Sequence, residues 1–205
     1  VWLFCCLYLG SISRMEDYIC MEKNFLSLIK THRSVRAYKS EPVLPSKALD
    51  AVLEAETYAP TGGGHQSPTI IAITYPKYRR KIAKLNAEVI GSNTDPYYGA
   101  PVVILVLAYG YASTYVEDGS CVLENMMLAA YALGLGTVWV HREREIFDSE
   151  SGKDLLREWK LPETLRGVGA IALGYPVHEA GQPAARKQNY IVRIICGEEG
   201  KHADQ

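Results

Sequence analysis

The sequence predicts a mixed α/β or α+β domain built around a central sheet, and three observations lead there. Four short runs, 69–74, 102–108, 137–141 and 168–173, are apolar and rich in β-branched residues, as strands are. Before and between them, apolar residues recur at helical spacing over 46–58, 77–89, 117–133 and 153–160, and in a first helix running towards Thr31. The 205 residues are 48% hydrophobic and 22% charged, which suits one folded domain with a sizeable core. No internal repeat or low-complexity linker divides the chain. Periodicity leaves the strand order open.

Taken in order, the first segment is the apolar run 1–10. It is too short to span a bilayer, and it lacks both preceding basic residues and the small-residue cleavage signal of a secretory peptide. From Met21 the chain reads MEKNFLSLIKTHRSVR, an amphipathic helix start with Phe25, Leu26, Leu28 and Ile29 as its stripe. Residues 1–20 are therefore read as an N-terminal extension and 21–205 as a single domain, the working protein beginning near Met15 or Met21. A membrane-anchoring tail is the alternative. In the second helix Leu49, Val52, Leu53 and Ala55 follow Pro45, with Ser46 placed to cap it, before Ala59-Pro60-Thr61-Gly62-Gly63-Gly64 breaks the pattern. Lys77, Arg79, Arg80, Lys81 and Lys84 alternate with Ile82, Leu85 and Val89, the solvated face of a third helix. The stretch 117–133 is apolar over much of its circumference, so it belongs in a core or a large subunit interface, and it ends at Gly134, a natural helix terminator.

Bulk charge narrows the partners. A net charge of -1 offers no electrostatic reason to bind nucleic acid or an anionic membrane. Five cysteines, at 5, 6, 20, 121 and 196, show no CxxC and no paired His spacing, which argues against a disulfide framework or zinc site and suits a reducing cytoplasm. Cys121, on the apolar side of its helix, is expected to be buried.

Four segments could carry chemistry. His32-Arg33-Ser34-Val35-Arg36 gathers an imidazole, a hydroxyl and two cations that could hold a phosphate or a carbonyl-rich heterocycle, or could simply complement a helix end. Pro60-Thr61-Gly62-Gly63-Gly64-His65-Gln66-Ser67-Pro68 can adopt backbone shapes closed to other residues and present amides to an anion or carbonyl, with Thr61 and Gln66 adding side-chain donors. A glycine turn feeds a buried strand ending at Val140, His141 and Arg142, and a last basic pair stands at Arg186 and Lys187. Gly167-Val168-Gly169-Ala170-Ile171-Ala172 matches GxGxxA in letters but runs into a strand, so it lacks the strand-to-helix turn that gives a dinucleotide fingerprint its meaning. There is no Walker sequence, HExxH or GxSxG, and His141-Arg142-Glu143 lacks the second histidine of a metal helix.

Six segments in order, HRSVRAY, APTGGGHQSP, DPYYGAPVVILVLA, EDGSCVLENMMLAAYALGLGTVWVH, GVGAIALGYP and AARK, resemble the nitroreductase family, and within it the small clostridial-type members. The resemblance covers about 21–190. It implies an α+β fold with a mainly antiparallel central sheet flanked by helices, and an intertwined homodimer with FMN at the interface. It also implies that 117–133 lies between protomers. By the same resemblance His32, Arg33, Ser34 and Arg36 line the phosphate, ribityl and pyrimidine side of FMN, while Arg186 and Lys187 close on the phosphate. The loop with Pro60, Thr61, Gly62 and Gln66 reaches the partner subunit's flavin, and Val140, His141 and Arg142 pass its N5 edge. Gly64 stands where the family loop carries asparagine, removing one side-chain contact.

The implied activity is hydride transfer from NADH or NADPH through flavin N5 to nitroaromatics, quinones or similar small acceptors, in a ping-pong cycle. The flavin carries the chemistry, and no side chain is assigned as a catalytic group; Tyr97, Tyr98 or Tyr115 could supply protons. The alternatives are a specialised member, such as a reductive dehalogenase or flavin-fragmenting enzyme, and a flavin-binding redox sensor with little turnover.

Overall fold

The computed structural model describes residues 25–40, 44–179 and 181–194. The extension expected at 1–20 lies outside these, as do Cys5, Cys6, Cys20 and Cys196. In chain order the elements are α1 (25–31), α2 (Ser46–Glu56), a 3-10 turn (Gly62–Gly64), β1 (Pro68–Ile73), α3 (Pro76–Ile90) and β2 (Val102–Tyr109). There follow α4 (Tyr115–Ala132), β3 (Gly136–Val140), α5 (Glu143–Asp148), α6 (Glu150–Glu158) and β4 (Leu165–Gly174). The strands form one sheet in the order β1-β2-β4-β3, and every neighbouring pair is antiparallel, so the fold is α+β.

The sequence VVILVLAY of β2 shows why the sheet sits where it does. Side chains alternate across a strand with a period of two. Val103, Leu105 and Leu107 enter the core shared with α3, α5 and α6, while Val102, Ile104, Val106 and Ala108 enter the core shared with α2 and α4. A strand covered on both faces has no position for a polar residue. Beside it, β4 is built for close approach. A β-carbon on Gly167 would lie 2.1 Å from the carbonyl carbon of Glu143, so only glycine lets the start of α5 rest on the strand. Val106 pairs with Gly169 and Leu107 with Gly167, which leaves Val168 as the extra residue of a bulge. The GxGxxA letters therefore lie inside a strand, as expected.

Several boundaries differ from the sequence reading. Pro45, extended at φ -61 and ψ 140, precedes α2, and Ser46 becomes the first helical residue and forms no cap bond. The stretch predicted as one helix at 153–160 belongs to α6, and the short α5 before it was not predicted, since six residues are too few to display a period. The two helices part at Ser149, whose hydroxyl accepts a bond from the Gly152 amide at 3.2 Å. Ser149→Ala should cost about 1 kcal/mol, the usual value of a lost cap, read as a lower denaturant midpoint at unchanged slope. An unmoved midpoint would show that the cap contributes nothing.

The end of α4 follows expectation. Gly134 takes φ 74 and donates to Tyr131 O at 3.0 Å, while Leu135 donates to Ala130 O at 2.9 Å, closing the last carbonyls of the helix. Cys121 does not follow it, being exposed on α4 because the buried stripe runs through Asp118, Val122, Met126 and Ala130 instead. On α3, Lys81 and Lys84 make surface pairs with Glu158 and Glu88, but Arg79 turns inward to Ala100 O and Asp95. Among the described residues no helix is long and apolar enough to cross a membrane.

Candidate functional site

After α1 the chain becomes an extended strap over the edge of the sheet. Ser34 bridges Thr137 of β3 in parallel sense, the Val35 amide donates to Thr137 O at 2.8 Å, and Tyr38 bridges Pro176 beyond β4. The Tyr38 hydroxyl lies 2.7 Å from Val35 O and 3.1 Å from Ala172 O, and burial pushes its pKa well above the usual phenol value.

Along this strap the four predicted residues divide. Half-buried His32 stands edge-on to Tyr131 at 5.7 Å between ring centroids. Burial lowers its pKa, Glu124 opposing the shift and Arg33 adding to it. Arg33 folds back onto the carbonyls of Lys30 and His32, so the reading of this motif as a complement to a helix end holds for that residue. Ser34 and Arg36 are exposed, the Arg36 guanidinium lying 6.0 Å from the centre of the Tyr98 ring. His32 Nε2, Arg33 Nε and Thr137 Oγ1 are buried without a hydrogen-bond partner among the described residues. Polar atoms so placed favour an added ligand that supplies partners.

The exit of β3 belongs to the same region. Thr137 touches the strap, and His141 follows four residues later, about 13 Å along an extended chain. Val140 is buried, whereas His141 and Arg142 are exposed. Arg142 adopts φ 93, unusual for a residue with a side chain, and pairs with Glu145 at 3.0 Å. Asn86 Nδ2 donates to His141 O at 2.8 Å.

The glycine loop lies elsewhere. Gly63 and Gly64 take φ 59 and 70, but the loop is not an open cradle of amides. Gly62 N–H donates to Asp118 Oδ1 at 2.8 Å, Gly64 and His65 amides bond back to Thr61 and Gly62 carbonyls, and the Gln66 amide donates to Thr61 Oγ1 at 3.0 Å. Ser67 Oγ donates to the other oxygen of Asp118 at 3.0 Å. Pro60, Gly64 and Gln66 remain on the surface, and Thr61 and Gln66 join Glu56, Ile70 and Val122 in lining a 150 Å³ cavity.

The two halves are thus tied to opposite ends of α4: the loop to Asp118 and the strap to Tyr131. Thirteen helical steps separate those anchors, about 20 Å. Arg186 and Lys187 join neither half. Both are exposed, with Lys187 lying over Tyr190 at 5.4 Å. Of the three tyrosines considered as proton sources, Tyr97 is fully buried and donates to Glu143 Oε1 at 2.9 Å, and Tyr115 lies beneath Arg144 and Arg166. Exposed Tyr98, beside Arg36, is the one that faces solvent at the strap.

Sequence reasoning missed Glu56, Asn86, Asp118 and Glu143, all buried. Burial pushes the carboxyl of Glu56 up to about 8 and that of Glu143 up to about 7, hydrogen bonds from Tyr97 and Asn86 opposing the second shift. Three of the four were visible as polar residues at the next step of an apolar stripe: Glu56 after Val52, Asn86 after Ile82, and Asp118 before Val122. Glu143 lay in the helix too short to be read. No cluster of His, Cys, Asp or Glu among the described residues could hold a metal.

Comparison with known proteins bears on the family and the fold. The model of the nitroreductase family matches residues 29–175, more than half of the chain. An Archaeoglobus fulgidus protein named for NADH dehydrogenase/NAD(P)H nitroreductase activity is 29% identical over 159 residues, 75% of this chain and 86% of its own. The FMN reductase [NAD(P)H] of Bacillus subtilis is 25% identical over 183 residues, 78% of this chain and 69% of its own. The crystal structure of a Bacteroides fragilis nitroreductase with bound FMN superposes with a TM-score of 0.72 at 28% identity, covering 83% of this chain and 98% of that one.

Proposed function

The chain belongs to the nitroreductase family, and from that premise we propose that it is an FMN-dependent oxidoreductase drawing on NADH or NADPH to reduce small acceptors such as nitroaromatics and quinones. The observation that carries the reading is the set of unpartnered buried atoms around the strap, His32 Nε2, Arg33 Nε and Thr137 Oγ1, beside the exposed Ser34 and Arg36. Such a donor set suits a ligand rich in carbonyl and phosphate oxygens. When bound, FMN supplies the hydride chemistry at N5 in a ping-pong cycle, the nucleotide leaving before the acceptor enters.

The chain's own residues bind and orient. His32, Arg33, Ser34 and Arg36 would hold the pyrimidine, ribityl and phosphate side, Arg33 after leaving its helix-end carbonyls. Arg186 and Lys187, exposed in the segment after β4, would close on the phosphate. The backbone of Val140, His141 and Arg142 would face the reacting edge. Fixed positive charge from Arg36 favours electron density on the ring, a preorganised electrostatic effect.

We further propose a homodimer, a reading that the separation of about 20 Å supports. Two copies of α4 related by a two-fold axis and running antiparallel would bring the loop of one chain, with Pro60, Thr61, Gly62 and Gln66, to the strap of the other. Exposed apolar side chains support such a cover: Phe25 at 57% and Leu26 at 56% on α1, and Tyr190, Ile191, Val192 and Ile194 in the tail at 72% or more. We place this domain at 21–205 and its work in a reducing cytoplasm.

Purified protein is expected to be yellow, to keep its flavin absorption through desalting, and to oxidise NADH or NADPH steadily with menadione or a nitrobenzene. A colourless protein that takes up no added FMN overturns the cofactor assignment. Bound flavin that neither nucleotide reduces under anaerobic conditions overturns the oxidoreductase.

A further inference from the structure

The strained peptide at the exit of β3 is fastened from underneath by a buried polar cluster that neither the strap nor the loop uses. Backbone at φ 93 with a side chain attached persists only where its surroundings hold it. At Arg142 three elements do so. From α3, Asn86, 1% exposed, donates to His141 O at 2.8 Å. The same amide nitrogen lies 3.2 Å from Glu143 Oε1 and 3.3 Å from the Tyr97 hydroxyl. From the turn before β2, Tyr97, fully buried, donates to Glu143 Oε1 at 2.9 Å. From β4, the bare backbone of Gly167 presses on the Glu143 peptide. Asn86 therefore ties the carbonyl just before the left-handed residue to the carboxyl just after it.

Apolar contact could have packed this space with less penalty, since taking a carboxyl and an amide out of water is costly unless each finds partners. What the polar cluster adds is direction: one carbonyl is fixed in azimuth, and the peptides of His141 and Arg142 with it. We propose that Glu143 and Asn86 are positioning residues that set the backbone of His141 and Arg142 against the reacting edge of the flavin. The inference rests on the FMN reading above. It assigns neither residue contact with flavin, nucleotide or acceptor; both act through the peptide they orient.

The geometry makes a discriminating set of substitutions. Oε1 of Glu143 accepts both bonds, while Oε2 has no partner among the described residues. Glutamine can keep its carbonyl oxygen in the first position and place its amide in the second, so Glu143→Gln should behave like the native protein. Asn86→Leu removes the tie to His141 O and should slow anaerobic reduction of bound flavin by NADH or NADPH at least tenfold. The visible spectrum and midpoint potential of the flavin should shift as well, while FMN retention, governed by the strap, falls less than threefold. Tyr97→Phe deletes one hydroxyl from an otherwise unchanged core and should produce a smaller shift of the same kind, which keeps the test open if Asn86→Leu folds poorly. Folded Asn86→Leu and Tyr97→Phe proteins with native potential, spectrum and reduction rate would overturn the inference, as would a Glu143→Gln protein as impaired as Asn86→Leu. Native protein that binds no FMN would instead sink the reading on which it rests.

Discussion

Chains carrying Arg36→Ala and chains carrying Asp118→Ala, each a weak flavin binder when assembled alone, should recover native affinity at half of the sites of the mixed dimer, purified away from both parent dimers. The first substitution removes a charge-assisted contact from the strap, at a cost to FMN binding of about 1.5–3 kcal/mol, or roughly tenfold to over a hundredfold. The second leaves Gly62 N–H and Ser67 Oγ without the carboxylate that holds them, releasing the loop at a cost of about 1–3 kcal/mol. If each site takes its strap from one chain and its loop from the other, a mixed dimer has one doubly damaged site and one intact site. Titration with FMN should then show about half a site per chain at native affinity. Mixed assemblies no better than either parent would place strap and loop of one site in the same chain, contrary to the separation along α4.

Glu56→Leu is expected to stabilise the protein and to flatten its response to pH. Glu56 is fully buried, and neither carboxyl oxygen has a partner among the described residues. Its carboxyl, with an ordinary value of 4.5, is pushed by burial up to about 8. Between those two values the folded chain holds a proton that the unfolded chain has released, so stability falls as pH rises through this window. The loss accumulated by pH 7 is on the order of 3 kcal/mol. Leucine carries no proton and places apolar volume between Val52 and Val122, so it should recover much of that loss at pH 8 and little at pH 4. Glu143, raised in the same direction, leaves a residual slope. Denaturant midpoints of both proteins at pH 5 and pH 8 provide the check, and parallel pH profiles would show that Glu56 is not the source.

What the sequence revealed and what it hid divide along physical lines. All four strands were visible because β1 to β4 are short apolar runs, and α4 because eighteen residues display their stripe several times over. Strand order was hidden: nothing local to 165–174 says that β4 inserts between β2 and β3. At the site, cations and glycines announced the strap and the loop. The residues that hold those segments in place did not announce themselves. Asp118 and Asn86 are single polar letters within apolar stripes, and their partners lie 56 and 55 residues away, at Gly62 and His141. Arg33 shows how one letter can serve two ends, since its terminal nitrogens meet carbonyls at the end of α1 while its Nε has no partner among the described residues.

The strap over β3 also has a bearing on solubility. β3 is an outer strand of the sheet, and outer strands offer unpaired peptide groups to any extended chain that drifts past. Ser34 and Val35 occupy the Thr137 end of that border. The residues proposed to grip the cofactor therefore also guard a frontier against adventitious pairing. Protein starved of flavin, its strap less firmly held, would be the form most prone to stick to its own kind.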